Sequence, residues 1–456
     1  MTTVVPYTRV PGLLVPALPN AGAADLLALQ FQLGQSQWWP ADSMAGAHKA
    51  QFTALLSHVW EQVPFYRDRL EASGWMPGAL VSAEQFRRLP RIRRAEVLDA
   101  GEAFQALALP EGHGEVSDGS TSGSTGQAVR YWHTDLFGRL QYAFHLRHYL
   151  WHRWDFTRAV ASILVDRDRI ASAPQGKTYP NWGPWLAEIY PTGPHHFLSA
   201  RADIEQQLDW LEARRPAYLI TYPSNLDALL DAARQRGMRL PYLRGVSTLG
   251  ELVSGTVREK VRDHFGWPLI DVYSASEIGY LAIQCPRHEH YHVQAENVIL
   301  EVLDDHGMPC QPGQIGKVVV STLHNFAAPL IRYEIGDYAE VGEACDCGRH
   351  LPVLKRILGR SRNMLKRPDG VTTWPHFGTA ALHREAPIRQ FQVAQTAVDR
   401  IELRLVVEGE LSAQTELRLK QILTDNLEYP FAVDIVYCDG IERSEGGKFE
   451  DFICLV

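Results

Sequence analysis

Apolar residues in the middle of the chain fall into two alternating patterns. Short runs rich in β-branched and apolar residues, VASILV (160–165), AYLITY (217–222), LRGVSTL (243–249) and PLIDVY (268–273), have the length and composition of buried strands. Between them, ADIEQQLDWLEAR (202–214), SNLDALLDAARQRG (224–237) and GTVREKVRDHFG (255–266) space their apolar residues for one face of a helix. Strand, helix, strand at this rhythm predicts an α/β fold with a mostly parallel sheet. Residues 47–73 also carry helical periodicity, and Pro64 is expected to kink or break that helix.

The pattern changes after about residue 290. NVILEVLDDHGMP (297–309) and GQIGKVVVSTL (313–323) predict antiparallel strands joined by turns. Beyond Gly359–Arg360 come KRPDGVTTWP, a strand pair in FQVAQTAVDRIELRLVVEG, a helix in TELRLKQILTDNLEY and a strand in VDIVYCD. That is a compact α+β unit of roughly 90 residues, a normal domain size. The reading places a boundary near 360–364. Residues 1–360 are expected to form a large domain of mostly parallel sheets plus a β subdomain, and 361–456 a small α+β domain.

Composition narrows the function classes. At 456 residues and 45% hydrophobic content the chain has ample material for a core, which excludes a disordered protein. A formal net charge of −8 disfavours nucleic acid as a partner held by a general basic surface. No segment approaches the ~20 apolar residues of a membrane helix, so no membrane partner is expected. The N-terminal apolar stretch is cut by Pro6, Pro11, Pro16 and Pro19, so no signal peptide is expected and a cytoplasmic location is. Six cysteines are too few for a disulfide scaffold, and in a reducing compartment paired cysteines point to metal.

SDGSTSGSTGQAVRYWHT (117–134) is the most informative stretch. Small hydroxyl residues and glycines in a turn bare backbone N–H groups to phosphate oxygens, and the hydroxyls of Ser122, Ser124 and Thr125 add donors. Composition alone allows a surface loop equally well. No Gly-Lys-Ser/Thr follows, which disfavours a P-loop kinase or GTPase.

STSGSTG (120–126) resembles the phosphate loop of the adenylate-forming enzymes, the acyl-CoA synthetases, aryl-CoA ligases and peptide-synthetase adenylation domains. YSASEIG (273–279) is similar to their Tyr-Gly-x-Thr-Glu segment and RYEIGD (332–337) to Tyr-x-Thr-Gly-Asp. GRSRNMLK (359–366) resembles the hinge and GGK (446–448) the C-terminal lysine loop, all in family order. CDCGRHLPVLKRILGR and LIRYEIGD look like the phenylacetate–CoA ligase and coenzyme F390 synthetase branch.

The resemblance implies roles residue by residue. Ser122, Gly123, Ser124, Thr125 and Gly126 would cradle phosphates, with Thr125 also catalytic. Gly250, Glu251, Asp271, Val272, Tyr273, Ser274 and Ser276 match the segments that contact adenine and its surroundings. Asp337 would bind both ribose hydroxyls; read alone, it is a turn residue after Gly336. Glu277 would hold Mg²⁺ between ATP phosphates, and at a helix start it would equally complement the helix dipole. Arg360 is expected near ribose or phosphate. Lys448 is expected on the α-phosphate as a carboxylate attacks it. Two departures stand out: Asn363 occupies the hinge where Asp or Lys is usual, and Ser274–Ala275 replaces Gly beside the acyl substrate.

Cys285, His288, His290 and His292 lie in CPRHEHYH, and Cys345 and Cys347 form C-x-C sixty residues on. A Cys/His pair plus C-x-C fits tetrahedral structural zinc, with Cys285, His292, Cys345 and Cys347 as ligands, against buried thiols and a surface histidine run. Cys310, Cys438 and Cys454 read as ordinary.

The implied activity joins a carboxylic acid to ATP as an acyl-adenylate, then passes the acyl group to coenzyme A. Trp132, His145, Trp151, Trp182, Tyr222 and Pro223 are candidates to line an aryl pocket, while 165–196 departs from phenylacetate–CoA ligases. Three alternatives stay open: a CoA-independent enzyme using an amine acceptor or an inorganic acid such as nitrite, an inactive nucleotide-binding homologue, and a zinc-organised interaction module. A homodimer is compatible with the sequence.

Overall fold

The four apolar runs become strands Val160–Leu164, Tyr218–Thr221, Gly245–Leu249 and Leu269–Ala275 in a computed structural model, which describes residues 5–120, 129–360, 364–373, 375, 377–407, 409–441 and 449–456. They lie parallel in the order 269–275, 245–249, 218–221, 160–164. A fifth parallel strand, His195–Ser199, follows, and Lys177–Tyr179 closes that edge antiparallel. Helices Ile204–Arg214 and Pro223–Gln235 cross between strands and bury the leucines that gave them away, such as Leu208, Leu226 and Leu230. The third amphipathic stretch is helical over Gly255–Lys260 and then widens into a single π-turn, Val261–Phe265. Gly266 stops it at φ +70°, a conformation that favours glycine.

On the other side of Leu269–Ala275 the strand direction alternates. Gly279–Gln284, Tyr291–Val293, Val353–Arg360, Tyr333–Val341, Ile315–Thr322 and Val298–Leu303 continue the sheet antiparallel. The strands expected past residue 290 thus join the parallel ones in one 13-stranded sheet, and the α/β class holds. Helix Ala41–Gln62 buries Phe52, Leu55, Leu56 and Val59 against this half, and the chain breaks at Pro64 as the pattern predicts.

A second sheet, of four strands, orders Ala432–Tyr437, Arg400–Val407, Ile388–Ala397 and Phe452–Cys454. Ile401, Leu403 and Leu405 alternate inward along one strand. They meet Leu419, Leu423 and Leu427, spaced by one helical turn along Ala413–Leu427, in a core of their own. Among the described residues no helix is long and apolar enough to cross a membrane.

One buried ion pair ties the N-terminal helices to the sheet. The Arg147 guanidinium, 1% exposed, grips both oxygens of Glu296 at 2.8 and 3.0 Å, Gln294 Oε1 at 2.9 Å and the Leu33 carbonyl at 2.6 Å. Arg147→Ala strands a buried carboxylate and is expected to cost about 3–5 kcal/mol, read as a drop in the urea midpoint; an unchanged midpoint would refute it.

Candidate active site

Leu269–Ala275 is the strand where the parallel and antiparallel halves of the sheet meet. Ligands of open α/β sheets gather at the carboxyl ends of such strands. Tyr273 lies near that end, and Glu277 follows in the next turn. Tyr273 Oη donates to Asp337 Oδ2 at 2.7 Å. Asp337 pairs with Arg360 across neighbouring strands, and Arg360 Nε lies 3.7 Å from Asp337 Oδ1. Glu277 is 8% exposed. Burial pushes its carboxyl above the ordinary carboxylate range; the Asp337 charge acts the same way, while Arg94 and Arg360 oppose it. A ring nitrogen of His133 stands 3.2 Å from the Glu277 carbonyl oxygen. Acceptors suited to hydroxyls or a hard cation therefore share one sheet edge with two arginines suited to phosphate.

Val116–Ser120 and Arg130–Thr134, which flank the Gly/Ser/Thr stretch in sequence, pair as an antiparallel hairpin. Ser120 and Arg130 face each other at its two ends. Ser122, Gly123, Ser124, Thr125 and Gly126 lie outside the described residues, as do Asn363 and Lys448. The second hairpin strand carries His133, which joins it to Glu277, and Thr134, whose hydroxyl caps helix Asp135–Trp151 through the Phe137 N–H at 3.1 Å.

Other predicted contacts are distributed unevenly. Gly250 has φ +80°, leaving its backbone open beside the strand end. Ser274 is half-buried and Ser276 exposed. The Asp271 carboxylate is committed elsewhere: it accepts from Thr248 Oγ1 and from Tyr291 Oη, each at 2.7 Å, inside the sheet. Asp271 and buried Val272 thus offer a nucleotide only backbone, because both Asp271 carboxylate oxygens are already spent inside the sheet. Both Glu251 oxygens accept backbone N–H groups, from Ser224 at 2.9 Å and Phe449 at 2.7 Å.

Of the expected aryl-pocket residues, Trp132, Trp151 and Trp182 are buried in the core. The latter two spend their indole N–H on Gln37 Oε1 and the Arg158 carbonyl. His145 instead stands among Tyr149, Trp185 and Tyr280, with ring centroids 4.6, 5.2 and 5.8 Å away. Arg94, Tyr333 and His133 stand beside Glu277 and were not assigned roles in the sequence; Tyr333 lies within RYEIGD and His133 within the 117–134 stretch, while no motif marks Arg94.

The cysteines and one histidine do converge. Candidate donor atoms of Cys285, His292, Cys345 and Cys347 all lie within 4.8 Å of one another. Cys285 Sγ is 3.8 Å from Cys345 Sγ, and Cys347 Sγ is 3.4 Å from His292 Nε2. Tetrahedral zinc, with bonds of about 2.0–2.3 Å, spaces its ligand atoms about 3.5–3.8 Å apart, so the donor set fits that ion. His288 turns outward, to Asp346.

No family profile matches the chain. It is 26% identical to phenylacetate–coenzyme A ligase of Thermus thermophilus over 90% of this chain and 96% of that protein. It is 24% identical to the Escherichia coli phenylacetate–coenzyme A ligase, over 89% and 93% of the two chains. The chain thus resembles phenylacetate–coenzyme A ligases along most of its length. Its fold matches 2-hydroxyisobutyryl-CoA ligase in the postadenylation state, in complex with an acyl-AMP, at a TM-score of 0.73, 20% identity and 92% and 93% coverage. The strand-edge cluster thus sits in a fold shared with that ligase.

The Cys/His cluster is checked by metal analysis. The purified protein is expected to carry one zinc per chain, and the Cys345→Ser, Cys347→Ser double variant none, with a lower melting temperature. A metal-free wild type of unchanged stability after zinc addition would contradict the assignment.

Proposed function

We propose that this chain is an acyl-CoA ligase that activates an aryl or related carboxylic acid. In the first step a carboxylate oxygen attacks the α-phosphorus of ATP, the bond to the β-phosphate oxygen breaks, and pyrophosphate leaves. In the second, a coenzyme A thiolate attacks the acyl carbon and AMP departs. The observation that carries the reading is the meeting of Tyr273, Asp337, Arg360 and Glu277 at one strand edge. The alignment with phenylacetate–coenzyme A ligases over about nine-tenths of the chain supports it.

In this reading Asp337 takes the ribose hydroxyls, with Tyr273 holding its orientation and Arg360 beside it. Thr125 and its neighbours, Ser122 to Gly126, supply phosphate donors at the hairpin tip. Gly250 and residues 271–276 shape the adenine side, Asp271 and Val272 through backbone. Lys448 places a cation where charge accumulates on the α-phosphate. The buried Glu277 carboxylate fits a hard cation; bound Mg²⁺ would neutralise phosphate charge there. Residues 361–456 act as the mobile domain that presents Lys448, with 1–360 holding ATP and acid. Zinc on Cys285, His292, Cys345 and Cys347 has a structural role, since four protein ligands leave no open position. The rings around His145 support an aryl or similarly flat acid.

A screen of aryl and short-chain acids for pyrophosphate release, with and without coenzyme A, tests the reading. Release that yields an acyl-CoA is expected, and no release with any acid would overturn it. Lys448→Ala is expected to slow adenylation by about 10²–10³-fold while leaving ATP binding intact. Glu277 must be ionised to hold Mg²⁺, and its pKa is raised. Mg·ATP affinity should therefore weaken on acidification while ordinary exposed carboxylates are still charged, and Glu277→Gln should abolish that dependence.

A further inference from the structure

The last residues of the chain are tied to two places at once. Gln392 Nε2 donates to the Glu450 carbonyl at 2.9 Å, and the Val393 N–H donates to the Asp451 carbonyl at 2.8 Å, after which Phe452–Cys454 runs parallel to Ile388–Ala397. On the other side, the Phe449 N–H donates to Glu251 Oε1 at 2.7 Å. Glu251 belongs to the large sheet's end, two residues beyond Gly245–Leu249. Its second oxygen accepts from Ser224 N–H at 2.9 Å, in the first turn of Pro223–Gln235, where the helix dipole favours a carboxylate. That bond fixes the carboxylate and aims Oε1 at the C-terminal segment. Residue 449 directly follows Lys448.

We propose that Glu251 is a positioning residue that, through the Phe449 N–H, latches the C-terminal sheet to the large sheet for adenylation. The inference rests on the ligase reading above and adds a residue to it. A carboxylate-to-amide hydrogen bond is charge-assisted, strong enough to bias two arrangements yet weak enough to break in each cycle. Because it forms only when the two sheets meet in this way, its loss should fall on the first half-reaction. A group that simply bound adenine or maintained the fold would act on both.

Glu251→Gln and, independently, Phe449→Pro test this; proline lacks the N–H and leaves Glu251 untouched. Pyrophosphate release is expected to slow about tenfold or more in each variant. Acyl transfer to coenzyme A from a supplied acyl-adenylate should change less than threefold, and KM for ATP little. Amide exchange of the peptide 449–455, read by mass spectrometry, should speed up in Glu251→Gln, a readout independent of activity. Equal losses in both half-reactions, or faster exchange with unchanged pyrophosphate release, would overturn the latch while leaving the ligase reading intact. A wild type that releases no pyrophosphate with any acid would overturn the ligase reading first, and the latch with it.

Discussion

A buried carboxylate holds the two halves of the main sheet together. Asp271 takes the hydroxyl of Thr248 on its parallel neighbour and that of Tyr291 from the antiparallel side. Its backbone N–H is held by Gln284, whose amide in turn donates to the Leu269 carbonyl, and Arg258 donates to both Gln284 and Tyr291. Burial raises the Asp271 carboxyl above its ordinary range. A charge so enclosed is tolerable only while every partner stays in place. The strand that presents Tyr273 and leads to Glu277 is therefore fixed in register by groups that never touch a ligand.

Three residues of the site stand on strands of the large sheet. Asp337 and Arg360 face each other on paired strands, and Tyr273, from a strand paired with neither, reaches Asp337 through its hydroxyl. The hairpin strand Arg130–Thr134 reaches the same frame through His133, whose ring nitrogen stands 3.2 Å from the Glu277 carbonyl oxygen.

Much of this was legible in the sequence because apolar spacing and strand composition report burial directly. The four core strands, the break at Pro64 and the Leu419–Leu423–Leu427 stripe follow from that signal alone. His195–Ser199 escaped because two histidines interrupt its apolar run, although His196 and Leu198 are buried. The meeting of His292 with Cys285, Cys345 and Cys347 could be expected from donor chemistry. For Asp271 a motif marks a segment, and only the hydrogen bonds of the folded sheet show that its carboxylate is spent on Thr248 and Tyr291. Arg94 carries no local signature at all, since only tertiary folding brings it to Glu277.

The Glu251 contact reaches a main-chain N–H, not a side chain. Almost any residue at 449 would make the same bond. The partnership would therefore leave no trace of paired substitution between the two positions, however strongly it were selected. Its only visible mark in a set of homologues would be an acid at one position and the absence of a single residue type, proline, at the other.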